Sequence, residues 1–106
     1  MPTFVQIVTT TESREDAQRI GRALVEQRLA ACVQVAGPIS STYRWRGNIE
    51  TAEEWQCWAK CRLEGFDEIQ RVIRAMHPYE VPEILALPIL AGSPDYLAWL
   101  DEELRK

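Results

Sequence analysis

The chain has 106 residues, enough for one domain with a hydrophobic core and too few for two ordinary domains. Hydrophobic residues make up 46% and charged residues 26%, a balance that is typical of folded proteins and excludes disorder. Twelve basic and sixteen acidic side chains give a net charge of −4. This excess of acid argues against nucleic acid as a partner, because phosphate binding needs a basic surface.

The location of the protein can also be predicted from composition. No apolar run approaches the roughly 20 residues that cross a bilayer, so no membrane partner is expected. Residues 1–4 lack the basic and then apolar order of a secretory signal. Three cysteines are an odd number without the spacing of a disulfide framework. These features predict a reduced, cytoplasmic protein.

Four runs that are rich in β-branched, aromatic and aliphatic residues predict strands. They cover residues 4–10, 29–35 with a continuation over 39–46, 54–61, and 84–90. Gly37-Pro38 interrupts the second run, where a bulge or bend is expected. Gly47-Asn48 predicts the turn between the second and third strands. The centre of the chain should therefore be one long β-hairpin.

Three segments predict helices. The first lies near residues 13–28, because Ser13 can cap it and acidic residues follow in its first turn. The second begins at Gly65 and ends before Pro78, since a residue that precedes proline disfavours helical backbone. The third begins at Ser93-Pro94 and turns Tyr96, Leu97, Leu100 and Leu104 inward.

The predicted order β-α-β-β-α-β-α indicates an α+β fold over residues 1–106. Its first six elements match the ferredoxin-like split βαβ arrangement, and the C-terminal helix is an addition. Two helices cover one face of such a sheet, so the other face must meet water or a partner. Overhanging aromatic residues of the hairpin (Tyr43, Trp45 and Trp55) favour self-association in a closed ring.

The candidate ligands for a metal are few. Cys57 and Cys61 are about 13 Å apart on a strand, so they are expected to be small buried side chains rather than joint ligands. His77 is the only histidine, and a site of three or four ligands would need Cys32, Glu80 or Glu83, or copies from other subunits.

Other chemistry has weaker support. No phosphate-binding glycine loop or serine nucleophile motif is present. A Cys32–His77 nucleophile pair, as in a small hydrolase, requires that the two side chains meet. The acidic residues Glu50, Glu53 and Glu54 are interpreted as a solvated strand entry.

Several motifs carry a resemblance to a known family. They are AACV at 30–33, YRWRGNIE at 43–50, HPYEVPEI at 77–84 and YLAWL at 96–100. With these motifs the chain resembles, over nearly its full length, the CutA family of divalent-cation tolerance proteins. The resemblance implies a ferredoxin-like homotrimer, similar to the PII signalling trimers, with a link to copper and other divalent cations and no enzymatic activity.

The resemblance also points to residues. Cys32 and His77 match family positions proposed as copper ligands. To these we add Glu80 and Glu83, which lie in the same block as His77, as candidate oxygen ligands. We expect the cofactor, if there is one, to be copper or another divalent cation. An alternative is a signalling or scaffold trimer that binds a metabolite or a protein in a cleft between subunits. Residues that would line such a cleft are Tyr43, Trp45, Arg46 and Tyr79, together with His77.

Overall fold

The computed structural model describes residues 2–105, and its elements follow the predicted order. The strands are β1 (Phe4–Thr11), β2 (Cys32–Trp45), β3 (Asn48–Arg62) and β4 (Leu85–Pro88). The helices are α1 (Arg14–Glu26), α2 (Phe66–Met76) and α3 (Pro94–Glu103). No helix within residues 2–105 is both long and apolar enough to span a membrane.

The four strands form one antiparallel sheet in the order β2-β3-β1-β4. Helices α1 and α2 cover one face, where Ile20, Leu24, Ile69 and Ile73 form a cluster with apolar residues of β1 and β3. Because side chains alternate along a strand, Phe4 of β1 points to the opposite face. There it packs with Leu100 and Leu104 at the C-terminal end of the chain. Helix α3 therefore covers one end of the opposite face.

The hairpin of β2 and β3 is longer than the rest of the sheet. Strand β1 pairs with β3 only from Trp55 to Arg62, whereas the pairing of β2 with β3 continues to Trp45 and Asn48. The seven residues 48–54 of β3 extend past β1 by about 23 Å at ~3.3 Å per residue. The Cα extents of 45 × 25 × 21 Å reflect this overhang.

Two features shape the hairpin. The predicted interruption is confirmed as a bulge, in which Gly37 and Pro38 lie opposite Trp55 alone. The turn differs by one residue from the predicted Gly47-Asn48, since Arg46 and Gly47 form it with φ values of 49° and 83°. Positive φ at both positions is what a two-residue hairpin turn requires, and glycine adopts it readily.

Several predicted boundaries also change. Strand β2 begins at Cys32 rather than Leu29, and β4 is shortened to four residues that end at Pro88. Pro88, which has no N–H to donate to a ladder, ends β4 at the edge of the sheet. Ser13 caps α1 by accepting a hydrogen bond from the Asp16 N–H at 3.1 Å, as predicted. Tyr96, in contrast, is 40% exposed, so it does not face inward with Leu100.

Gly21 lets α1 approach the sheet closely, because a Cβ at this position would lie 2.5 Å from Cγ1 of Val33. Gly21→Ala should destabilise the protein by about 1–3 kcal/mol through overpacking, although alanine favours a helix by ~1 kcal/mol. Urea unfolding measures the change. Arg22→Ala, on the exposed side of the same helix, is the control and should shift the free energy of unfolding by less than ~0.5 kcal/mol. A Gly21→Ala protein as stable as the wild type would contradict this packing.

Candidate functional site

A cleft of about 520 Å³ lies between the overhanging hairpin and the segment that follows α2. We call it the hairpin cleft. Its lining residues are Thr10, Ser41, Thr42, Tyr43, Trp45, Glu54, Tyr79, Glu80, Val81 and Glu83. A volume of this size is in the range of small-molecule sites. Three of the five predicted cleft residues (Tyr43, Trp45 and Tyr79) therefore line one cavity. Arg46 pairs with Glu80 of the lining, and His77 is not a lining residue.

Glu54 is the most buried acidic side chain of the cleft, with 7% of its surface exposed. Its Oε2 accepts a hydrogen bond of 2.8 Å from the Tyr79 hydroxyl. Burial, followed by this hydrogen bond and the negative charge of Glu54, raises the pKa of Tyr79 above its ordinary value. Tyr79 is therefore a neutral hydrogen-bond donor at physiological pH.

His77 anchors the segment that forms one wall of the cleft. The ring is 8% exposed, and its Nε2 lies 2.8 Å from the Thr10 carbonyl oxygen. Because a carbonyl can only accept, Nε2 carries the proton and donates it. Nδ1 accepts a hydrogen bond of 3.1 Å from the Tyr79 N–H. Both ring nitrogens are thus engaged with backbone groups, and a metal could bind only in place of one of them.

The two predicted oxygen ligands lie on the outer side of the cleft. Glu80 accepts a hydrogen bond of 2.9 Å from Arg46, and both side chains are 69% exposed. Glu83 is also exposed and lines the same cavity. The Arg46 guanidinium lies 5.3 Å from the ring centroid of Trp45, a cation–π distance. The rim of the cleft therefore already holds one cation between a carboxylate and an aromatic ring.

Cys32 lies elsewhere on the sheet. It begins β2, pairs with Lys60 of β3 and is half-buried. Burial and then the neighbouring Cys32 thiol raise the pKa of Tyr96 above its ordinary value. The Cys32 thiol thus belongs to the end of the sheet that α3 covers.

The register separates Cys32 from His77. Cys32 pairs with Lys60 of β3, and Lys60 pairs in turn with Gln6 of β1. His77 bonds instead to Thr10, which lies four residues further along β1. The separation is about 13 Å along the sheet and two strand spacings, ~10 Å, across it. Cys32 and His77 of one chain therefore do not meet. Within residues 2–105 no group of three or more histidine, cysteine or acidic side chains is arranged to hold a metal ion.

The other two cysteines belong to the core. Cys57 is 1% exposed and Cys61 is completely buried beneath α1 and α2. Burial raises the pKa of the Cys57 thiol to about 11 and that of the Cys61 thiol to about 12. Since the thiolate is the form that binds metals, both act as buried apolar side chains near neutral pH. The structure thus agrees with the predicted role of these residues.

One residue of the cleft was misassigned from the sequence. Glu54 was interpreted as part of a solvated strand entry with Glu50 and Glu53, but it is buried against Tyr79. A signal was available, because the alternation of β3 puts Glu54 on the face opposite Glu53. The alternation could not predict that the segment after α2 would cover the face on which Glu54 lies.

The buried thiols should make stability fall at alkaline pH. An unfolded thiol titrates near 9, whereas folded Cys57 titrates near 11. Between pH 9 and pH 11 the unfolded state therefore releases a proton that the folded state keeps. The free energy of unfolding that this thiol contributes is complete below pH 9 and falls by about 1.4 kcal/mol per pH unit in this range.

Cys57→Ala removes one such proton, so its free energy of unfolding should decline less steeply than that of the wild type from pH 9 to pH 11. Urea unfolding across this range measures the slopes, and the difference between the proteins should be constant from pH 6 to pH 8. Parallel curves above pH 9 would show that the Cys57 thiol titrates normally.

The anchoring role of His77 is tested by its removal. His77→Ala deletes one buried and one partly buried hydrogen bond and should lower the free energy of unfolding by about 2 kcal/mol. Glu83→Ala, in the same segment but exposed, is the control and should change it by less than ~0.5 kcal/mol. Equal stabilities of the two variants would contradict an anchor at His77.

Comparison with known proteins matches residues 5–103 to the family described as CutA1 divalent ion tolerance protein. A divalent-cation tolerance protein CutA of Thermus thermophilus is 43% identical over 96 residues, 91% of this chain and 93% of that protein. A solved structure from Archaeoglobus fulgidus, described as periplasmic divalent cation tolerance protein CutA, has a TM-score of 0.92 at 41% identity and covers 96% of this chain and 99% of that chain. CutA1 from Oryza sativa has a TM-score of 0.95 at 32% identity, over 99% of this chain and 96% of that one. The chain therefore belongs to the CutA family of divalent-cation tolerance proteins.

Proposed function

We propose that the chain acts in divalent-cation tolerance as a homotrimer of single-domain, ferredoxin-like subunits. The sheet has two open edges, β2 and β4, and its β2–β3 hairpin extends beyond the core. Open edges and exposed apolar residues are features that self-association removes. Among the exposed apolar residues are Trp45, Ile49, Leu85, Leu90 and Trp99. This unshielded surface is the observation that carries the proposal of a trimer.

The proposed ligand is copper or another divalent cation, bound by Cys32, His77, Glu80 and Glu83. On one chain Cys32 lies apart from His77, which anchors one wall of the hairpin cleft, and from Glu80 and Glu83, which line the cleft. A metal that contacts both groups must lie where two subunits meet. Sulfur and imidazole ligands suit copper better than magnesium, and the carboxylates would complete the set. His77 contributes only if it exchanges one of its backbone hydrogen bonds for the metal.

The proposed activity is binding without catalysis. A Cys–His nucleophile needs its thiol within hydrogen-bond reach of the imidazole, and the register keeps Cys32 and His77 of one chain apart. We place the protein in the cytoplasm because its three cysteines are free thiols. The periplasmic description belongs to the Archaeoglobus fulgidus relative.

A second candidate function is favoured by the hairpin cleft. Its volume, its aromatic walls and its few convergent polar groups are features of a small-molecule site. In this alternative the trimer is a signalling or scaffold protein, similar to PII, that reports the presence of a metabolite.

Because the proposed copper site lies between subunits, the trimer should bind copper and the monomer should not. Metal-free protein, titrated with copper under anaerobic conditions, should give trimer ions with bound copper and monomer ions without it in native mass spectrometry. Cys32→Ser should remove the copper and keep the trimer, because the sulfur ligand is lost and the strand pairing is not.

Cys57→Ala is the matched control, since its thiol is buried and protonated, and it should bind copper as the wild type does. Copper on monomer ions would contradict a shared site. Undiminished copper on the Cys32→Ser trimer would contradict the ligand set.

A further inference from the structure

A buried arginine fastens the C-terminal end of α3 to the sheet. The side chain of Arg62, at the end of β3, is only 11% exposed. Its Nη2 donates to Oδ1 and to the carbonyl oxygen of Asp101 at 2.7 and 2.9 Å. Its Nη1 donates to the Arg105 carbonyl oxygen at 2.7 Å. One guanidinium therefore holds both the last turn of α3 and the residues that follow it.

A second arginine, in the connection between α1 and β2, fastens the same end. Arg28 Nε donates to the Glu103 carbonyl at 2.9 Å, and its Nη2 donates to the Glu102 carbonyl at 3.3 Å. The Arg28 carbonyl accepts a hydrogen bond of 3.0 Å from the Arg105 N–H. The last carbonyls of a helix have no partner within the helix, and cations are favourable at this end of its dipole. Two arginines from distant segments thus complete the end of α3.

These contacts should open together. With ten residues, α3 is shorter than a helix that is stable in water by itself. Its buried residue Leu100 packs with Phe4 and Leu104 in a cluster separate from the main core. Movement of residues 101–105 away from Arg62 breaks all the bonds of one guanidinium at once and leaves a buried charge without its partner. Helix α3 and the residues after it should therefore detach as one unit, at a lower free energy than global unfolding.

Helix α3 lies on the side of the sheet where Cys32 lies. Arg62 and Lys60 are two residues apart on β3, so their side chains share one face. Cys32 pairs directly with Lys60, which puts its thiol on that face as well, about 7 Å further along the sheet than Arg62. Tyr96, in the first half of α3, has its hydroxyl close enough to the Cys32 thiol for the thiol to raise the pKa of the hydroxyl. The register and this contact place α3 against the half-buried thiol.

We propose that α3 and residues 104–105 form a strap over the Cys32 thiol, fastened by Arg62 and Arg28, and that opening of this strap uncovers the thiol. The inference rests on the proposed function and deepens it, because Cys32 is the sulfur ligand of the proposed copper site and the strap sets how fast a metal reaches it. The bonds that fasten the strap all lie within one chain, so the device does not depend on how subunits pack.

Hydrogen–deuterium exchange of the metal-free protein, in its native assembly, measures the opening. Arg62→Lys keeps the charge and loses the planar fork that bonds to Asp101 and Arg105. Exchange of the α3 amides should become about tenfold faster or more, whereas the α1 amides should change less than about twofold. Arg22→Lys, at an exposed position of α1, is the control and should leave both sets unchanged. Unchanged α3 exchange in Arg62→Lys would overturn the fastener, and an equal rise in α1 and α3 would show global unfolding instead of a strap.

Labelling with N-ethylmaleimide, followed by mass spectrometry of peptides, measures access to the thiol. Cys32 of the Arg62→Lys protein should be labelled about tenfold faster than Cys32 of the wild type, in parallel with the exchange of α3. Cys57 and Cys61 are buried in the core and should stay unlabelled in both proteins, which makes them internal controls. An unchanged Cys32 rate would overturn the control of this thiol by the strap.

Arg28→Lys is the variant that remains informative if Arg62→Lys does not fold, since the Arg28 side chain is 56% exposed. It should raise both rates several-fold, because the Glu102 and Glu103 carbonyls lose their charge-assisted partner. Rates equal to those of the wild type would contradict the second fastening point. Both measurements are made without copper, so a failure of the strap and a failure of the copper proposal are distinguishable.

Discussion

The antiparallel pairing of β2 with β3 beyond the end of β1 is the constraint on which the rest of the structure depends. The pairing of β1 with β3 ends at Trp55. From there to the turn at Arg46 and Gly47, β2 and β3 pair with each other alone among residues 2–105. A two-stranded ribbon is marginal in water by itself. A bulge at Gly37 and Pro38 interrupts its inner part. Its outer part has apolar surface, at Tyr43, Trp45 and Ile49, that residues 2–105 leave exposed.

The overhang also creates the hairpin cleft, because the segment after α2 can pack only against the hairpin side that extends past the core. Two hydrogen bonds hold this segment: His77 donates to the Thr10 carbonyl and Tyr79 donates to Glu54. Both contacts join a wall of the cleft to the sheet through a polar group.

Most of the fold could be predicted from local chemistry. The cap at Ser13, the stop at Pro78 and the start at Ser93-Pro94 locate the helices, since each acts within one turn of the backbone. The hairpin turn was displaced by one residue because Asn48 tolerates a turn as well as Gly47 does, and only the strand register decides between them.

The site was less predictable, because it depends on contacts between distant segments. Tyr43, Trp45 and Tyr79 were identified through the family motifs, whereas Glu54 was missed because its burial depends on a segment 25 residues away. The separation of Cys32 from His77 likewise follows from the register of three strands and not from any local pattern.

Replacement of residues 42–51 by Asn-Gly tests the role of the hairpin most directly, since it ends the ribbon at the pair Ser41–Ala52 and leaves every β1 contact in place. Sedimentation velocity of this variant and of the wild type compares their assembly. The account predicts a wild type with three times the mass of one chain, and a shortened protein that keeps its secondary structure by circular dichroism but sediments as a single chain. A shortened protein that still sediments with the mass of the wild type would contradict it.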